Sequence, residues 1–548
     1  MYKARIKMQD DDGNWLVPNE VLLHVLKFVD NRKNVALTCK KLYSVTCTID
    51  RNTFPLRITT EKLSGENFNS ILNSERQFDE FTIDTCKVLT LEQYWNLKAI
   101  SFKYGENIKR FIWESCKLSK VEILSLLQFL PNLESFSAIH WNLKLEVYEE
   151  SFSKLELRNL TELKIEKCDQ ATIDFFTEFL DKNTLKILDI QGDPTSILNA
   201  QQSIKNLTLN VDSLNSQCLR NIKLSNLTIK MRRYKDDLER STIQSIIENQ
   251  PDLITLDLIN CGCFDEDSAA FEAVCKLKHL KAFSMNIDGL SAMTFNEHFP
   301  NLNQLKSVEI ESVEHDIAPV VSIIEDFSRQ DMKQLEKLKI YLTDVGVPLN
   351  RIERMGSKFK NLKDLNIRCD HPLSLDSYLI NMKNLENLQI DYHYSKEFAK
   401  LCNNFDFNSL VLKNLSLHGF GFGSDDVNWN EVTLLKLTEV VPNLEKLELD
   451  AAFPYNIDFI FKLKEKLPKL DILLNWSMTQ TGEHYKKFDL QTIFDLKKVA
   501  KMFSQFSIEL RLKAIDMDAS RVKLDLCNEY NVAMTRLGML IVIRMTKR

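Results

Sequence analysis

Histidine, cysteine and paired carboxylates are the side chains that could carry catalysis or hold a metal, and in this 548-residue chain their spacing assembles no site. The nine histidines include no HExxH pair and no two at helical i, i+4 spacing, so zincin-type hydrolysis has no ligand set. None of the twelve cysteines forms a CxxC pair, which supports neither a zinc framework nor a disulfide one. Carboxylate pairs such as Glu309 with Glu311 and Glu448 with Asp450 alternate with apolar residues. They face one side of a predicted strand, towards solvent, where nothing supplies the burial a general acid needs. Gly419-Phe420-Gly421-Phe422-Gly423-Ser424 has the glycines of a phosphate loop, but no Gly-Lys-Ser/Thr follows, and Asp425 and Asp426 would repel a phosphate. It reads as a turn leaving a strand. The expectation is a protein with no catalytic residue, no metal and no cofactor.

What the chain does repeat is a pattern of burial. Pro442-Asn443-Leu444-Glu445-Lys446-Leu447-Glu448-Leu449 is its clearest unit, and the LxxLxL core recurs at Leu157–Ile165, Leu185–Ile190, Leu253–Leu258, Leu335–Ile340, Phe359–Ile367 and Met382–Ile390. Weaker copies start at Phe78, Leu97, Ile204, Leu224, Leu280, Leu305, Leu412 and Leu470. From Phe78 to Leu470 the period averages about 26 residues, and the sequence resembles the leucine-rich-repeat family, whose repeats span 20–29. The resemblance implies an α/β solenoid of horseshoe form, with one continuous register, strands on the concave side and helices on the convex side. Apolar helical stripes fit the intervening segments 172–180, 241–248 and 318–327. Many of the 32 phenylalanines would fill the space between the layers. The family's asparagine ladder is mostly missing, which predicts an irregular array. Cys168, Cys261 and Cys369 fall just beyond repeat strands, where such arrays tuck a small residue inward.

A net charge of −6 gives no electrostatic footprint for nucleic acid, and the one basic run, Lys230 to Lys235, reads as a solvated loop. The opening residues MYKARIKMQDDDGNW carry no apolar signal core, and the run Met539–Ile543 is far too short for a bilayer. It reads as a terminal strand. Neither membrane nor nucleic acid is expected as a partner, and scattered free cysteines fit a reducing cytoplasmic or nuclear compartment.

Residues 15–52 differ from everything downstream. Pro18 suits the first helical position, Glu20 complements the helix dipole, and Leu22, Val25, Leu26 and Val29 form one stripe. A second helix would carry Val35, Ala36, Cys39, Leu42 and Tyr43. So short a hairpin needs a partner to cover it, either the first repeats or another protein. Val17-Pro18-Asn19-Glu20-Val21-Leu22, the following stripe and Cys39-Lys40-Lys41 resemble the F-box motif, with Val17 in place of the leucine and Tyr43 near the usual tryptophan. The domain reading is a tail at 1–14, an F-box-like helical module at 15–52, a junction at 53–77, and a leucine-rich-repeat solenoid with its C-terminal cap at 78–548.

The combination resembles the substrate receptors of SCF-type cullin–RING ubiquitin ligases. That resemblance implies that Val17, Pro18, Glu20, Leu22, Val25, Leu26, Val29, Cys39 and Tyr43 bind the adaptor subunit and, through it, a cullin. The repeats would then bind a protein substrate, with Lys339, Tyr341, Asn366 and Arg368 as the candidate contacts. The alternative is a leucine-rich-repeat scaffold outside the ubiquitin system, in which the hairpin merely caps the solenoid.

Overall fold

The computed structural model describes most of residues 55–477 and the segments 507–513, 530–537 and 540–547. Residues 1–54 and several inter-strand stretches, such as 144–156, 232–239, 343–354, 370–381, 393–410, 419–440 and 478–506, lie outside the described residues. The chain divides into two compact units, residues 1–236 and 237–548.

In the first unit the described strands are β1 Leu56–Thr59, β2 Glu80–Asp84, β3 Arg110–Glu114, β4 Ser135–Ile139, β5 Glu162–Glu166, β6 Ile187–Gln191, β7 Asn206–Val211 and β8 Asn226–Met231. Each pairs in parallel with the next, so Leu56, Phe81, Phe111, Phe136, Leu163, Leu188, Leu207 and Leu227 form one buried row across the sheet. Parallel neighbours cannot be joined by hairpins. The crossovers hold the helices α1 Gly65–Leu72, α2 Leu91–Tyr104, α3 Lys120–Leu127, α4 Gln170–Phe179 and α5 Thr195–Ala200. In the crossover from β7 to β8 the described residues hold a 3-10 turn at Ser216–Leu219.

The sequence sets where helices begin. Thr90 accepts from the Gln93 amide at 3.2 Å while Gln93 accepts from the Thr90 amide at 3.0 Å, a reciprocal box that opens α2. Ser119 and Glu122 repeat it for α3, and Asp169 caps α4 through the Thr172 amide at 2.9 Å. Strand exits also recur, since Ser115, His140 and Lys167 each directly follow a strand with φ of 61°, 56° and 54°. Gly192 takes the next such place at φ 128°. Aromatic side chains fill the space between layers. Phe136 of β4 lies 5.1 Å from Phe176 of α4, ring to ring, and Trp141 packs edge-on to both Trp113 and Phe136. The Trp141 indole donates to the Trp113 carbonyl at 3.0 Å, whereas the buried Trp113 indole N–H finds no acceptor among the described residues.

The stretch LKAISF from Leu97 is expected to be a repeat strand and is instead the middle of α2. Leu97 and Ile100 sit on the buried side of that helix, and their spacing satisfies both patterns. The strands of this region are β3 and β4, whose core positions are Phe111, Trp113, Phe136 and Ala138. The segment expected as a junction contains β1, paired with β2.

The second unit has β9 Thr255–Ile259, β10 Ala282–Asn286, β11 Ser307–Ser312, β12 Lys337–Leu342, β13 Asp364–Cys369, β14 Asn387–Tyr392, β15 Asn414–His418, β16 Lys446–Ala451, β17 Asp471–Ser477 and β18 Ser507–Lys513, all in parallel sequential register. The terminal strands β19 Tyr530–Leu537 and β20 Leu540–Lys547 form a hairpin, and β20 lies antiparallel to β18. Described helices are α6 Arg240–Glu248, α7 Ala269–Cys275, α8 Ala292–His298, α9 Ile317–Arg329 and α10 Asp458–Lys466. A phenylalanine series, Phe264, Phe271, Phe295, Phe299, Phe327 and Phe359, runs through consecutive repeats with ring centroids 4.5 to 5.9 Å apart.

Within each unit strand and crossover repeat in parallel register, which makes the fold an α/β leucine-rich-repeat solenoid. Its asparagines sit at the strand entry. Asn132, Asn159, Asn361 and Asn384 each precede a buried leucine, and each donates its side-chain amide to a carbonyl of the previous repeat's turn, at 2.7 to 3.1 Å. Neighbouring repeats are thus stitched from side chain to main chain.

Candidate functional site

The sheet face away from the buried rows is the only part of each strand free to vary without emptying the core. On β11 to β14 the register lines up Glu309, Lys339, Asn366 and Gln389 in one row, and Glu311, Tyr341, Arg368 and Asp391 in the next. Three of the four candidate contact residues can be placed as side chains. Lys339 pairs with Glu309 at 3.1 Å, so its charge is answered within the sheet. Burial presses the Lys339 ammonium down, but the Glu309 contact and nearby carboxylates outweigh it, and the net shift is upward. Asn366 donates to the Tyr341 hydroxyl at 3.1 Å, while its own carbonyl oxygen is enclosed with no partner among the described residues. The Arg368 backbone lies opposite Tyr341; its side chain is outside the described residues.

With Lys339 committed to Glu309, the row of Tyr341 holds the carboxylates Glu311 and Asp391 and the Arg368 position. Burial raises the Glu311 carboxyl from its ordinary value, and Glu309 and Asp288 add to the shift while Lys339 opposes it. Burial likewise raises the Tyr341 hydroxyl. Asp288 was not among the sequence candidates. It lies in the turn after β10 and is buried, accepting from the Ser312 hydroxyl at 2.6 Å. The only sequence signal for it is the turn-forming pair Asp288-Gly289.

A raised carboxyl binds its proton more tightly in the folded chain, so the ionised form opposes folding. That penalty is complete above the folded value and absent below the ordinary carboxylate range near pH 4. Glu311→Gln is therefore expected to raise the melting temperature at about pH 7, with the gain shrinking to nothing near pH 4. A lower melting temperature at neutral pH would show that a cation holds Glu311 ionised.

At the entry edge of the same strands, Lys306, Glu336, Lys363, Glu386 and Lys413 alternate in sign. Glu336 pairs with Lys306 and Lys363 at 3.3 Å each, and Glu386 with Lys413 at 2.7 Å. A shallow groove of about 330 Å³ lies along them, and with its charges paired it selects neither anion nor cation. Among the described residues no cluster of three or more His, Cys, Asp or Glu could hold a metal, and no helix is long and apolar enough to cross a membrane. Cys261 is buried; Cys168 is half-buried, and its thiol is pushed up to about 11 chiefly by burial, which leaves it unreactive. The adaptor-binding candidates Val17 to Tyr43 and the glycine turn at Gly419 lie outside the described residues.

No family model matches the chain, and no curated protein matches it in sequence. Among solved structures it is similar to a chain in the crystal structure of the yeast Rad7 and Elc1 complex. That match has 14% identity and a TM-score of 0.35, covering 84% of this chain and 93% of that one. At that score the likeness assigns nothing to this protein; the repeat register stands on its own strand pairing.

Proposed function

We propose that the protein is the substrate-recognition subunit of an SCF-type ubiquitin ligase. The carrying observation is that an F-box-like stretch ends just upstream of β1, with no glycine- or serine-rich linker before the repeat array. In this reading Val17, Pro18, Glu20, Leu22, Val25, Leu26, Val29, Cys39 and Tyr43 bind the adaptor and, through it, a cullin. Transfer of ubiquitin falls to other subunits, and the chain itself does no chemistry. It would act in the cytoplasm or the nucleus. A protein substrate would lie on the polar sheet face around Tyr341, where side chains from successive strands read shape and charge together.

The test is co-purification of the adaptor with full-length protein carrying Pro18→Ala, Leu22→Asp and Leu26→Asp. Each aliphatic side chain buried in such an interface is worth roughly 1.5–3 kcal/mol, and an unpaired buried carboxylate costs more, so binding should disappear. Adaptor binding that survives these changes would leave a repeat scaffold outside the ubiquitin system.

A further inference from the structure

We propose that the solvent face of α2 is a docking ridge for an amphipathic helix of a partner protein that presents a carboxylate to Lys98. Leu91 and Phe102 are each 73% exposed and Trp95 is 55% exposed, while Tyr94, Leu97, Ile100 and Tyr104 on the opposite side are buried. Leu91, Trp95, Lys98 and Phe102 stand at i, i+4, i+7 and i+11, which is one line along a helix, about 16 Å long. Exposed single apolar residues are ordinary, but three large ones in register on one ridge are not.

The ridge is held in shape before any partner arrives. The Phe102 ring meets Phe129 edge-on at 5.5 Å, and the Tyr104 hydroxyl anchors the end of α2 to the Ile71 carbonyl at 2.6 Å. Lys98 supplies the sign of the partner. Its ammonium lies 5.0 Å from the Trp95 ring centre and 5.9 Å from that of Phe129, and no carboxylate pairs with it among the described residues. Nearby cations are committed, Lys103 to the Leu72 and Ser74 carbonyls and Lys120 to Glu178. An apolar ridge of three turns fits the groove of a second helix, and Trp is a type that dominates such contacts while Phe is enriched in their cores. A second copy of this chain fits poorly, because a two-fold pairing of like ridges would bring Lys98 against Lys98.

The probe is a labelled helical peptide with leucines at matching spacing and one glutamate on the same face, compared with a peptide bearing lysine in its place. Binding to the full-length protein is read by fluorescence anisotropy. The glutamate peptide should bind more tightly; Trp95→Ala with Phe102→Ala should weaken it at least about tenfold, and Lys98→Glu should reverse the preference. Binding that ignores these changes, or no binding by either peptide, overturns the proposal. So does concentration-dependent self-association lost in Trp95→Ala, which would give the ridge to a second copy. Tighter peptide binding after Leu22→Asp and Leu26→Asp would give it to the chain's own N-terminal stripe and overturn the proposal equally.

Discussion

Gly105→Ala should destabilise the first unit by about 3 kcal/mol or more, the upper end of what overpacking costs. The reason is space and not backbone freedom, since Gly105 has φ −62° at the C-terminal cap of α2, a conformation any residue adopts. A Cβ there would fall far inside contact with the Phe129 carbonyl oxygen, 2.9 Å from its carbon and 3.0 Å from Leu130 Cδ2. Two of those atoms are main chain in the turn after α3, so no rotamer change relieves the clash. Gly65 is the matched control. Its φ of +58° strains an alanine by roughly 1 kcal/mol, but nothing lies within 4 Å of the added carbon. Urea denaturation of the two variants should separate them clearly, and a Gly105→Ala cost no larger than that of Gly65→Ala would mean that the Phe129 turn yields freely. Because that turn also carries Phe129 against Phe102 and Lys98, the same substitution should weaken peptide binding at the α2 ridge.

The leucine spacing made the array legible wherever the core residues are leucine or isoleucine, as in β12 to β14. It missed β3 and β4, although Phe81 on β2 and Phe283 on β10 are aromatic core residues that it did place. Phe111 with Trp113 on β3, and Phe136 with Ala138 on β4, occupy the same buried rows as leucines elsewhere, but no LxL marks them. The false copy at Leu97 has a physical cause as well. Apolar residues at 97, 100 and 102 fit a strand whose last member is core, whereas the helix turns Phe102 outwards. The misreading therefore hid the exposed ridge, because an outward Phe102 exists only if α2 is a helix. On the polar face, sequence spacing alone sets Lys339 beside Asn366 and Tyr341 beside Arg368. It could not show that Glu309 neutralises Lys339, since that depends on where two flexible side chains meet. The sequence lacks the family's asparagine ladder, but asparagine still stitches the repeats from the strand entry. The terminal hairpin carries no LxxLxL, because an antiparallel pair needs only alternation.

In the second unit the largest loss should come from Phe299→Ala, about 3–5 kcal/mol. Phe299 is 1% exposed and stacks on Phe295 with centroids 4.5 Å apart and rings 16° from parallel. Its other side meets Phe327 edge-on at 5.5 Å, so it joins the helix α8 layer to that of α9. Truncation removes a whole ring from the middle of a series. The flanking rings, Phe295 on α8 and Phe327 on α9, are fixed on different helices, so they cannot both close the gap. Met293→Ala, on α8 just before Phe299 but 72% exposed, should stay within about 0.5 kcal/mol of the parent. Since each repeat is stabilised mainly by its neighbours, the damage should be local. Hydrogen exchange in Phe299→Ala should quicken in β10 to β12 before it changes in β15 or β16. Uniform quickening across all these strands would mean that the second unit opens as one cooperative body, with the phenylalanine series coupling every repeat.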